Sequence, residues 1–163
     1  MRAHNSKRTA TLPRDLEVAL FGAAAPLRVL VADDDPTTGQ LVAAIGQREG
    51  YQVVSVDDGR QAYRILKSDA DFAAAVFNMT MSHLKGVDIV RFMKTEKRLM
   101  RIPVILVAGE HGLKLIRDGF AAGALAFLPK PFTPEKLART LRLAIGSQAG
   151  RKDPHERLRK VAA

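Results

Sequence analysis

Short apolar runs alternate along this chain with longer stretches in which apolar residues recur at helical spacing. Leu27–Ala32, Gln52–Val56, Phe72–Phe77, Pro103–Val107 and Ala126–Pro129 read as five strands. Apolar runs this short and this continuous fit strands covered on both faces. After the first strand, Asp35 is a helix cap and Pro36 takes the first helical position, where its missing N–H costs nothing. That helix carries Leu41, Val42 and Ile45 on one stripe and stops at Gly50. Asp58 and Gln61 have the spacing of a capping box, ahead of a helix with Ala62, Ile65 and Leu66 turned inward. Further helices are predicted over Val87–Lys94 and Leu113–Ala122. The last is capped by Thr133, starts at Pro134 and buries Leu137, Leu141 and Ile145. Five such alternations predict an α/β domain over residues 27–146, a parallel sheet with helices on both faces. Ahead of it, Asp15–Ala25 places Leu16, Ala19 and Leu20 at helical spacing, and a short helix packed on the domain is expected there.

Charge changes this picture mainly at the ends. The net charge is +9, of which residues 1–26 hold +2 and residues 147–163 hold +3, against +4 for the whole middle of the chain. Both ends read as basic extensions, with 155–161 a candidate for further helix. Such ends attract acidic surfaces. Yet no helix-turn-helix, zinc finger or aromatic–basic platform accompanies the charge, so nucleic acid is the minor reading. The absence of cysteine excludes disulfides and thiol chemistry and fits a reducing cytosol, and a cytoplasmic protein is expected. No apolar run is long enough to span a membrane. Asp15 and Glu17 interrupt the only stretch resembling a leader peptide. Met1 and the short tail are those expected of a complete chain. His4, His83, His111 and His155 have no metal-ligand spacing and read as surface residues.

In an open parallel sheet, ligands bind beyond the carboxyl ends of the strands. There the chain presents Asp33, Asp34 and Asp35 after the first strand, Asn78 after the third, Ala108 after the fourth and Lys130 after the fifth. Adjacent carboxylates call for a cation, either magnesium or the Lys130 ammonium. The alternative is that Asp35 caps its helix while the other two are solvated.

Several segments together are specific. L-R-V-L-V-A-D-D-D-P, N-M-T-M-S-H-L-K-G, P-V-I-L-V-A-G and G-A-L-A-F-L-P-K-P-F-T, in this order and at these spacings, resemble the receiver domain of bacterial two-component response regulators. The resemblance covers Leu27 to Ile145. It implies a flavodoxin-like doubly wound (βα)5 sheet in the order 2-1-3-4-5. It also implies a phosphoacceptor at the end of the third strand, supplied by a histidine kinase, with Asp33 and Asp34 as the magnesium-binding acidic pair. Thr80 would lend a backbone carbonyl to the metal. Lys130 would contact the phosphoryl group, ahead of a cis bond to Pro131, and Phe127 would be the aromatic residue that changes rotamer.

Two positions depart from that pattern where it matters most. Asn78 stands in place of the acceptor aspartate, and Ala108 in place of a threonine or serine hydroxyl. Ser82 also replaces a usual proline, and Gly109 a usual alanine. An amide is not ionised and its nitrogen lone pair is delocalised, so it is a poor nucleophile at phosphorus. Asp33, Asp34 and Lys130 sum to −1, so magnesium binding is expected to be weak and no cofactor is required. The expectation is therefore a pseudo-receiver: no enzyme, but a module that binds a protein partner without phosphoryl control. The expected face comprises the helix over Leu113–Ala122, the fifth strand and the last helix, with Lys114, Arg117, Phe127, Arg139 and Arg142; a second copy of the chain is one candidate partner. The alternatives are an engineered asparagine in a working receiver, or a substitute acceptor among Ser82, Thr80 and Asp35.

Overall fold

The computed structural model describes residues 13–21, 25–109 and 112–149. Five strands, β1 (Arg28–Ala32), β2 (Gln52–Val56), β3 (Ala74–Asn78), β4 (Val104–Ala108) and β5 (Ala126–Pro129), form one sheet in the order β2-β1-β3-β4-β5. All pairings are parallel. The intervening helices are α2 (Pro36–Arg48), α3 (Gly59–Ser68), α4 (Gly86–Thr95), α5 (Leu113–Ala122) and α6 (Pro134–Ala149), with α1 (Arg14–Phe21) ahead of the sheet. The doubly wound α/β fold and its strand order are those expected.

The strand pleat divides the core in two. Leu30, Ala75, Phe77, Leu106 and Ala108 point to one face and pack with Leu66, Ile89 and Met93 of the helices there. Val29, Val31, Val76, Ile105 and Leu128 point to the other and pack with Val42, Ile45, Leu137 and Leu141. Because both faces are covered, β3 and β4 are buried along their whole length. Any polar group at a strand end is thus delivered into a largely dry environment.

Local chemistry explains most boundaries. Asp35 caps α2 by accepting from the Thr37 N–H, and Gly50, at φ +89°, follows its end. Thr133 Oγ1 accepts from the Lys136 N–H at the start of α6. The Lys130–Pro131 bond is cis. Asp58 caps α3 through the Arg60 N–H, but the capping box does not close. Gln61 instead donates its amide to Asp57.

Other expectations are corrected. Leu41 is exposed, and Gly39 and Gly46 share the inner face of α2 with Val42 and Ile45. The first helix ends at Phe21, and Leu16 and Leu20 are 45% and 61% exposed, so their stripe is not packed on the domain. Both sheet faces already have their helices, α2 and α6 on one side and α3, α4 and α5 on the other. Two basic residues at and just beyond the end of α4 make specific contacts. Lys94 is half-buried and donates to the Met100 carbonyl, and Arg98 donates to the Leu66 and Lys67 carbonyls at the end of α3. Burial holds the Lys94 ammonium below its ordinary pKa. The continuation expected over 155–161, and His4, His111 and His155, lie outside the described residues.

Candidate functional site

Register brings the polar strand ends together. Ala32 lies beside Phe77, so Asp33 follows one strand where Asn78 ends the next. On the far side Ala108 lies beside Pro129, and the Lys130 N–H donates to the Ala108 carbonyl at 2.8 Å. Asp33 and Asn78 are the two buried polar residues among those described, 4% and 7% exposed.

Their hydrogen bonds form a closed set. The Asn78 amide donates through Nδ2 to Asp33 Oδ1 at 3.2 Å and to Asp34 Oδ1 at 3.0 Å. Lys130 Nζ donates to Asp33 Oδ2 at 3.3 Å, and the Asp35 N–H to Asp33 Oδ1 at 2.9 Å. Ser82 completes the set: its N–H and its hydroxyl both reach Asp34 Oδ2, at 3.3 and 3.2 Å. One uncharged NH₂ group therefore holds two carboxylates side by side, as a cation would. Hydrogen bonds to ionised groups are the stronger kind, each worth about 1.5–3 kcal/mol. Asp35 stands apart. It accepts from Thr37 and Thr38, and the Thr38 hydroxyl foremost holds its carboxyl below the usual carboxylate range.

The loop that follows Asn78 is drawn tight by small residues. A side chain at Gly86 would overlap the Asn78 carbonyl oxygen, and one at Gly59 would overlap the Leu84 carbonyl. His83 adopts a left-handed conformation at φ +67° within this loop. Ser82 is thus pinned over Asp34 both by its own bonds and by the close packing around it.

Every expected site residue can now be placed. Asp33, Asp34, Asn78 and Lys130 converge. Thr80 is exposed in the turn after β3, and Ala108 ends β4 as a buried methyl beside the pocket. Phe127 is half-buried on β5, and Lys114, Arg117 and Arg139 are exposed on α5 and α6. Arg142 lies 3.7 Å from the Glu49 carboxylate at the end of α2. Ser82 is a pocket residue that the sequence marked only as a departure and a candidate acceptor.

Magnesium needs free carboxylate oxygens. Here all four oxygens of Asp33 and Asp34 accept from N–H or O–H donors, and the amide nitrogen of Asn78 faces the pair where a cation would sit. In this arrangement the amide stands in the cation's place against the acidic pair.

Relatives share this architecture. The chain is 28% identical over 122 residues to chemotaxis protein CheY1 of Helicobacter pylori, covering 74% of this chain and 98% of that one. Among solved structures, chemotaxis response regulator CheY4 of Vibrio cholerae superposes with a TM-score of 0.68 at 28% identity, over 74% of this chain and 99% of that one. The receiver domain of the sensor histidine kinase PA1611 from Pseudomonas aeruginosa, solved with a magnesium ion coordinated in its active-site cleft, gives 0.69 at 26% identity over 75% and 99%. The family model for the response regulator receiver domain matches residues 29–142. With its five-stranded sheet and the pocket at the strand ends, the chain belongs to the response regulator receiver domain family.

Proposed function

We propose that this receiver is a pseudo-receiver, a cytoplasmic binding module of two-component signalling that works without phosphoryl transfer to Asn78 and is not an enzyme. The observation that carries this reading is the bond from Asn78 Nδ2 to both Asp33 and Asp34. In-line attack at phosphorus needs an electron pair aimed away from the acidic pair, supported by a cation. Asn78 instead presents a donor to those carboxylates and has no ionisable oxygen. Lys130, the group that would neutralise a phosphoryl oxygen, is paired with Asp33. Ala108 offers no hydroxyl to carry a charge change at the pocket towards Phe127.

Binding then depends on a surface that needs no switching. The face of α5, β5 and α6 mixes Lys114, Arg117 and Arg139 with exposed Leu113, Phe120 and Leu143; Leu113 is 80% exposed. Apolar side chains among basic ones suit a protein partner with an apolar, acidic surface, a second copy being the alternative occupant. Incubation with a small-molecule phosphodonor and magnesium, followed by intact-mass measurement, tests the reading. The expected result is an unchanged mass. A stoichiometric phosphoryl adduct that hydroxylamine removes would overturn it, and an adduct on Ser82 or Thr80 would favour a substitute acceptor.

A further inference from the structure

Charge is spread unevenly over the folded domain as well as along the chain. Residues 59–101 hold nine basic and four acidic side chains, a net +5, whereas the rest of 27–146 holds eight basic and nine acidic and sums to −1. The positive excess of the domain therefore sits on α3, α4 and their flanks. Within α3, Arg60, Arg64 and Lys67 recur at i, i+4 and i+7, so they share one stripe, and all three are exposed. That helix contains no acidic residue. The stripe continues past the helix end. Arg98 donates to the Lys67 carbonyl at 3.2 Å, which seats its guanidinium, and Lys97 next to it, beside the end of α3. Lys94 closes the same loop by donating to the Met100 carbonyl at 3.0 Å. Tyr63 and Phe92 join the two helices, their ring centroids 4.7 Å apart. The basic groups thus stand on a surface held in shape from both helices.

The character of this face selects its partner. Among the described residues, none of the exposed large apolar side chains lies on α3 or α4, and Met100 alone lies in the loop beyond. A protein interface has an apolar centre, and a membrane surface takes up apolar side chains; this face supplies little for either. Interfaces with nucleic acid are polar and strongly positive. Both rings are half-buried and turned to each other, and Lys67 Nζ lies over Tyr63, 5.5 Å from its centroid. Stacked bases of a single strand therefore gain little here. We propose that the α3–α4 face binds the phosphate backbone of duplex DNA without reading its sequence. Arg60 to Lys67 spans about 10.5 Å of helix, the length of about three phosphates on one strand. Lys97 and Arg98 meet the same backbone beyond the helix end. The face lies apart from the α5–β5–α6 surface, and its binding does not depend on whether Asn78 can be phosphorylated.

Fluorescence anisotropy of a short labelled duplex, titrated with the full chain, tests this. Five phosphate contacts give a log–log salt slope of about −4.5, so affinity is expected to fall about 10²–10³-fold between 50 and 200 mM salt. Arg60→Gln with Arg64→Gln keeps the helix propensity of these positions. That pair is expected to reduce the slope by about 2 and to weaken binding at least about tenfold at the lower salt. Arg48→Gln with Lys136→Gln removes the same charge from exposed positions on the opposite side of the sheet, and binding within about threefold of the parent is expected. The proposal is overturned if the duplex is not bound at the lower salt, or if the two paired variants lose equally, which would make net charge the cause. It is equally overturned if binding is lost on neutralising the five basic residues of 147–163 but survives the α3 pair. A single strand or polyglutamate of equal charge that binds more tightly than the duplex would overturn it too.

Discussion

Restoring a carboxylate at Asn78 should destabilise the protein unless a divalent cation is supplied. In Asn78→Asp, an oxygen would replace the amide nitrogen that lies 3.0 and 3.2 Å from oxygens of Asp34 and Asp33. Two donated hydrogen bonds are lost and a third negative charge is added to the pair. At an effective dielectric of about 20, two like charges about 4 Å apart repel by roughly 4 kcal/mol. Proton uptake limits the cost: lifting one carboxyl from its usual range near 4 to neutrality costs about 1.4 kcal/mol per pH unit, so about 4 kcal/mol in all. Asp34 is partly solvated, which screens its share, so a net loss of about 2–4 kcal/mol is expected. For a domain of this size that is a fall in melting temperature of about 8–16 °C in a chelator. Millimolar magnesium should return most of that loss to the variant and leave the parent within about 1 °C. The assay is thermal unfolding of both proteins with and without the ion. A variant as stable as the parent in chelator, or a parent that gains several degrees from magnesium, would refute the view that the amide acts as the pocket's cation.

Three further outcomes are expected. Ser82→Ala removes one hydroxyl bond to Asp34 and should cost about 1 kcal/mol by denaturant titration, with Ser82→Pro costing more because the N–H goes too. Gly59→Ala must push the Leu84 carbonyl away, and with it the loop carrying Ser82; a loss of about 1–3 kcal/mol is expected, with amide shifts centred on 82–85. The Asp71 N–H and then the Arg28 guanidinium hold the Asp69 carboxyl below its ordinary pKa. Its contribution is therefore present above the unfolded-state value and lost as pH falls through the folded one. Asp69→Asn should lower the melting temperature at neutral pH, and the difference from the parent should vanish once the parent's Asp69 carboxyl is protonated in the folded as well as the unfolded state.

The fold was legible because strand-length apolar runs and capped helices agree at every alternation, as Asp35–Pro36, Thr133–Pro134 and the terminal glycines illustrate. Where side-chain partners decide, the pattern fell short. Leu41 has helical spacing with Val42 and Ile45, yet the inner face of α2 is completed by two glycines, of which Gly46 lets the helix come close to Val53 of β2. Gln61 has capping-box spacing but finds Asp57 instead. Asp33, Asn78 and Lys130 could be grouped because all follow strand ends, whereas Ser82 meets Asp34 only through a loop path set by Gly59 and Gly86. Spacing cannot report that path.

Beryllofluoride, which mimics an acyl phosphate, offers the most direct test of whether this pocket accepts a phosphoryl group. Added with magnesium to the ¹⁵N-labelled parent protein, it should leave the amide signals of Asn78, Ala108, Phe127 and Lys130 unmoved. Saturable shifts at those four positions, reaching the α5–β5–α6 face, would contradict the account.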